Sequence, residues 1–172
     1  MSIIHFKGSE LHTLGKLPEI GHPAPHFTLT KPDLSMVQLQ DFTGKPIFLN
    51  VYPSIDTKVC FSSAQHFNRI AAGHPEVVVT CISMDLPFAL QRVCTGEALD
   101  QILLLSDFRN REFGDHYGLT IADGPLAGLL ARAVIVLDSR HHVVYCELVT
   151  EITNAPDYDA AVASLTLHAH RD

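Results

Sequence analysis

From Pro46 onward, short apolar runs alternate with segments of helical pattern, and this alternation limits the fold more than any other feature of the chain. The runs are Ile47 to Tyr52, Val77 to Met84, Ile102 to Leu105, Ala133 to Leu137 and Val143 to Leu148. Each is apolar at successive positions rather than alternate ones, so both faces of the strand must be covered. Helices between the strands supply that cover, which predicts an α/β domain with at least five strands in one sheet. Upstream of Pro46 the chain reads as β-rich. Ile3 to Phe6 and Leu11 to Leu14 flank Gly8 as a hairpin, and Phe27 to Thr30 and Met36 to Leu39 flank the turn-forming Lys31-Pro32-Asp33. No repeat, low-complexity tract or Pro/Ser-rich linker interrupts the pattern, so residues 1–172 read as a single domain.

Punctuation places the helices. Asp56 or Thr57 can cap a helix in which Cys60, Ala64, Phe67 and Ala71 fall on one face. Asp85 and Pro87 read as the cap and first turn of a second helix, running toward Cys94. A third, Asn110 to Tyr117, stops at Gly118 in a left-handed conformation. Pro156 opens a terminal helix with Tyr158, Ala161, Val162 and Leu165 as its apolar stripe.

Composition removes several classes of function. With 47% hydrophobic and 18% charged residues, the chain can bury a full core and is neither disordered nor fibrous. A net charge of −7 with histidines neutral, and no cluster of Lys or Arg, leaves nothing to neutralise a phosphate backbone, so no nucleic acid partner is expected. The longest apolar stretch, Gly124 to Leu137, is broken by Arg132, so no membrane span is expected. His5, Lys7, Glu10, His12 and Lys16 interrupt the start of the chain where a signal peptide would need an apolar core, and a cytoplasmic protein is expected. The cysteines, Cys60, Cys81, Cys94 and Cys146, form no CxxC pair and share no ligand spacing with histidine, so no metal site is expected. His141, His142, His168 and His170 read as background. Cys81 and Cys146 read as buried strand residues.

Cys60 stands apart. It follows a strand and opens a helix within Pro53-Ser54-Ile55-Asp56-Thr57-Lys58-Val59-Cys60. Free backbone N–H groups and the helix dipole at such a position favour a thiolate over a thiol, and Lys58 adds positive potential. A small buried hydrophobe on a helix face explains the same spacing, and both readings stand at this point. Thr57 is either an ordinary N-cap or a donor to the reacting atoms.

The Pro-x-x-x-Thr-x-x-Cys pattern of Pro53, Thr57 and Cys60 resembles the active-site loop of peroxiredoxins. The match extends to NVYPSIDTKVC from Asn50, CISMDLPFALQRVC from Cys81, DFRNREFGDHYGL from Asp107, IADGPLAGLLARAVIVLD from Ile121 and EITNAPDYDAA from Glu151. Taken together in this order, these segments look like the bacterial thiol peroxidase subfamily of atypical 2-Cys peroxiredoxins. The resemblance implies a thioredoxin-like fold, with a central mixed β-sheet flanked by helices and an N-terminal β-hairpin. It implies Cys60 as the peroxidatic cysteine, Cys94 as the resolving one, an intrachain Cys60 to Cys94 disulfide, and Thr57 and Arg132 as active-site residues, with Pro53 shaping the loop. It further implies hydrogen peroxide and organic hydroperoxides as substrates, bulkier ones preferred. No cofactor, thioredoxin as reductant and a homodimer complete the expectation. Because the two cysteines lie on different helices, disulfide formation would require one helix to unwind locally. Lys58 departs from the family, which usually has Gly there, and so does Thr95-Gly96 after Cys94. Two rivals need no peroxidase turnover: a cysteine-histidine hydrolase, which needs a histidine base close to Cys60 and finds His66 six positions on, on a different face of the helix, and a non-catalytic thiol redox sensor that oxidises once and uses its disulfide to switch a protein partner.

Overall fold

A computed structural model describes residues 1–168 of the protein. Strands β1 (Ile3–Phe6) and β2 (Ser9–His12) form the N-terminal hairpin. It is tighter than the sequence suggests, with the second strand starting two residues before Leu11. Lys7 joins Gly8 in the left-handed region (φ 51° and 81°), so a two-residue turn pairs Phe6 directly with Ser9. The Glu151 carboxylate holds that turn by accepting from the N–H groups of Lys7 and Gly8 at 3.2 and 3.0 Å.

The main sheet has seven strands, β3 (Thr28–Thr30), β4 (Met36–Gln38), β5 (Ile47–Val51), β6 (Val78–Ser83), β7 (Leu103–Ser106), β8 (Ala133–Leu137) and β9 (Val143–Leu148), in the order β4-β3-β7-β6-β5-β8-β9. β5, β6 and β7 run parallel, while β8 runs antiparallel to β5. The continuous apolar runs have the expected cause. Ile47, Leu49 and Val51 of β5 enter one core, and Phe48 and Tyr52 enter the other, on the opposite face.

Among the described residues four α-helices complete the layers: α1 (Lys58–Gly73), α2 (Pro87–Gly96), α3 (Glu112–His116) and α4 (Tyr158–His168). α1 packs on β6, α2 on β7, and α4 against β8 and β9. The predicted α1 face is realised, with Cys60, Ala64, Phe67 and Ala71 all buried. Truncating Phe67 there would cost about 3–5 kcal/mol. On the other face α3 lies against β3, and Phe113 and Tyr117 close over Phe27. The turn after α3 requires glycine: Gly118 has φ 67°, and a Cβ there would lie 2.3 Å from the Lys16 carbonyl oxygen. The α4 stripe is also as expected, with Ala161 buried and Tyr158, Val162 and Leu165 half-buried on the same core. His170 lies outside the described residues.

Candidate active site

Sheet topology brings the chemistry together. β5 and β6 are parallel, so their C-terminal ends lie side by side, where open α/β sheets hold their ligands. β8 is antiparallel to β5 with Val51 paired to Ala133, which delivers the residue before β8, Arg132, to the same end. Cys60 and Arg132, 72 positions apart in sequence, thus meet: the Arg132 Nη2 donates to the Cys60 sulfur at 3.3 Å. Its Nε donates to the Ile152 carbonyl at 2.8 Å. Both residues are buried, Cys60 with no exposed surface and Arg132 at 1%. A buried cation usually faces a carboxylate, but among the described residues none pairs with this one. Its Nη1 is buried with no partner.

Cys60 is the third residue of α1. Thr57 holds the N-cap position with extended backbone, yet its side chain does not cap the helix. Its hydroxyl donates to the Ser54 carbonyl at 3.1 Å, and the residue is exposed. Pro53 is buried beside Tyr52, and Lys58 is exposed in the first turn.

Asp85 differs from its expected role as a helix cap. Leu86 takes the N-cap position of α2, and the Asp85 carboxylate turns toward the Cys60 loop instead. It accepts from Ser54 Oγ at 2.7 Å, the Ile55 N–H at 2.8 Å and Ser83 Oγ at 2.7 Å. Ser106 Oγ donates to the Asp85 carbonyl at 2.6 Å. One carboxylate therefore joins the ends of β5 and β6 to the start of α2. A polar residue just past the end of a parallel strand carried this signal, but the Asp-x-Pro pattern also reads as a cap.

A second buried polar group lies under the site. Asn50 Nδ2 donates to Ser63 Oγ at 3.1 Å and to Cys81 Sγ at 3.4 Å. Burial pushes the Cys81 thiol up to about 12, so it stays neutral and structural. Burial likewise raises the Tyr52 hydroxyl well above its ordinary value, with Cys81, Cys60 and Asp85 adding to the effect. Cys146 is only half-buried, because β9 is an edge strand, and its thiol donates to the Pro18 carbonyl at 3.7 Å.

All four cysteines are free thiols. Cys94 sits in the last turns of α2, half-buried on the same core as Cys60, and burial pushes its thiol up. Between the start of α1 and the end of α2 lies a cleft of about 490 Å³, with Ile55, Lys58 and Phe61 on one wall and Arg92, Val93 and Glu97 on the other. A more apolar cavity of about 290 Å³, bounded by Pro46, Val77, Val162 and Leu165, sits at the opposite end of the sheet and touches none of these groups.

His66 points elsewhere: its ring stacks on Tyr158 of α4 with centroids 3.8 Å apart. It is therefore no base for Cys60. Among the described residues no group of three or more His, Cys, Asp or Glu side chains could hold a metal ion.

Comparison with known proteins agrees with this arrangement. The Redoxin family model matches residues 19–162. Thiol peroxidases of Mycobacterium bovis and Mycobacterium tuberculosis are each 47% identical over 165 residues, 96% of this chain and 99% of theirs. A peroxiredoxin-like protein from Aquifex aeolicus superposes with a TM-score of 0.91 at 35% identity, covering 97% of both chains. The thiol peroxidase from Chromobacterium violaceum gives 0.91 at 25% identity, covering 99% of this chain and 98% of that one.

Proposed function

This chain belongs to the Redoxin family, among its thiol peroxidases, and we infer from that membership and from the site a thiol-dependent reduction of hydroperoxides. The Cys60 sulfur attacks one oxygen of the hydroperoxide, the O–O bond breaks, an alcohol or water leaves, and Cys60 becomes a sulfenic acid. Negative charge develops on both oxygens in that displacement, so donors must already be in place. The observation that carries this reading is the Arg132 guanidinium: Nη2 is on the Cys60 sulfur, and Nη1 is buried and unpartnered, available to an oxygen of the substrate. Thr57 reaches the substrate only if its hydroxyl leaves the Ser54 carbonyl. Pro53 shields the sulfur from bulk water.

Cys94 then attacks the Cys60 sulfur, forming the disulfide and releasing water. Thioredoxin returns the pair to dithiols by exchange, with thioredoxin reductase and NADPH upstream. The substrates are hydrogen peroxide and organic hydroperoxides, the bulkier preferred, and the setting is the bacterial cytoplasm. Among the described residues no helix is long and apolar enough to cross a membrane. A homodimer packed through loops near the site is supported by Leu86, Phe88 and Phe108, large apolar side chains left exposed around the Asp85 end of α2.

The test is NADPH consumption with thioredoxin, thioredoxin reductase and cumene hydroperoxide. Sustained turnover is expected in the wild type, absent in Cys60→Ser and no longer dependent on thioredoxin in Cys94→Ser. A single round of oxidation without cycling would instead favour a redox sensor.

A further inference from the structure

The end of α2 that carries Cys94 packs Val93 into the core, and its outer side makes a direct tie to the Cys60 loop. Arg92, two residues before Cys94, donates from Nη2 to Asp56 Oδ1 at 2.8 Å, and Asp56 lies in the turn that opens α1. The pair bridges the mouth of the cleft between the two helices. Its side chains are 66% and 57% exposed, so it is readily broken. Beyond Cys94, the Glu97 N–H donates to the Val93 carbonyl, and Thr95 Oγ1 donates back to the Gln91 and Arg92 carbonyls. Hydroxyl back-bonding of this kind weakens a helical turn. The next segment is anchored again, to α1: Asn68 Nδ2 donates to the Ala98 carbonyl, and Asn68 Oδ1 accepts from the Gln101 N–H. Residues 93–97 are thus a short helical turn between two ties, one exposed and ionic, the other a pair of amide hydrogen bonds.

We propose that the Asp56–Arg92 pair is a clasp that positions the last turn of α2 in its helical state and so sets how long the oxidised Cys60 waits for Cys94. The proposal rests on the assignment of Cys60 and Cys94 given above. Two reactions compete for the Cys60 sulfenic acid. In one, the Cys94 thiolate attacks its sulfur, an S–S bond forms, the S–O bond breaks, and the oxygen leaves as water after taking up a proton. In the other, a second hydroperoxide adds an oxygen to the sulfur, giving sulfinic acid and an alcohol. The clasp acts only on the first, because Cys94 must leave its helical turn to reach Cys60. Neither Asp56 nor Arg92 touches the reacting atoms, so both are positioning residues.

The experiment mixes reduced protein with cumene hydroperoxide, quenches with a thiol-blocking reagent at intervals, and measures the Cys60 to Cys94 disulfide and Cys60 sulfinic acid by mass spectrometry. Asp56→Asn and Arg92→Gln should each form the disulfide about threefold faster, the scale set by exposed ion pairs. Each should also show a correspondingly smaller sulfinic fraction at high peroxide, with the rate of sulfenic acid formation unchanged. The charge-swapped pair Asp56→Arg with Arg92→Asp should restore wild-type partitioning, which a purely structural effect of either residue would not do. Disulfide formation that is unchanged or slower in both single variants overturns the clasp. A wild type that consumes peroxide without forming this disulfide removes the resolving role of Cys94 itself, and the clasp with it.

Discussion

The two helix ends that carry the thiols are built in opposite ways. At the start of α1, Cys60 is fully buried, its sulfur accepts from Arg132, and the preceding loop is pinned by Asp85 through two hydrogen bonds, from Ser54 Oγ and the Ile55 N–H. At the end of α2, Cys94 is half-buried, the ion pair that ties its turn to the Cys60 loop is exposed, and the Thr95 hydroxyl back-bonds weaken the turn. A nucleophile that must meet a developing charge gains from groups fixed in advance. A resolving thiol that must travel gains from weak local structure.

Variants can break or sharpen that contrast. The largest effect is expected at Cys60: Cys60→Ser should reduce peroxidase turnover to the uncatalysed background in the NADPH-coupled assay. Next comes Arg132→Met, which keeps the length of the side chain and removes its donors. Single-turnover oxidation of Cys60 should slow about 10²–10³-fold, as for loss of one preorganised donor at a developing oxyanion. A variant within tenfold of wild type would show that the guanidinium is not the fixed element of the site. Asp85→Asn should loosen the Ser54–Ile55 turn. Hydrogen bonds to a charged group are worth about 1.5–3 kcal/mol, so the thermal midpoint should fall about 5–10 °C, and the oxidation step should slow more than the resolution step. Equal slowing of both would deny that Asp85 serves the Cys60 side.

The smallest effect on turnover is expected at Asp107, which anchors α3 on the other face of the sheet. Its carboxylate accepts from the Phe113 and Gly114 N–H groups, but burial outweighs these bonds and pushes its pKa up to about 6. The folded state therefore holds this proton more tightly than the unfolded chain, whose Asp titrates near 3.9. The stabilisation is full below about pH 4 and is lost as pH rises through about 6. A carboxyl carbon titration by NMR should show a midpoint near 6, with peroxidase turnover unaffected by Asp107 protonation. A midpoint below about 4.5 would contradict the burial argument.

Much of this was legible in the sequence. The strands were readable because residues covered on both faces are apolar at successive positions, as at Ile47 to Leu49. The α1 face was readable because Cys60, Ala64, Phe67 and Ala71 recur at helical spacing. The pairing of Cys60 with Arg132 was not readable from spacing, since it depends on the antiparallel register of β8 on β5, and only the family resemblance pointed to it. Asp85 stands out in the sequence but its partner does not, because a carboxylate before Pro87 serves equally well as a cap or as a bridge between strand ends. The first hairpin strand is legible as Ile3–Phe6, but the second starts at Ser9 rather than Leu11, because the left-handed turn at Lys7 depends on a distant carboxylate, Glu151.

Amide hydrogen exchange on the reduced and peroxide-oxidised protein, compared across α1 and α2, tests the contrast most directly. The account predicts that forming the Cys60 to Cys94 disulfide strips protection from the last turn of α2, residues 93–97, while the body of α1 beyond its first turn stays protected. Unchanged protection at both helix ends in the disulfide form would contradict it.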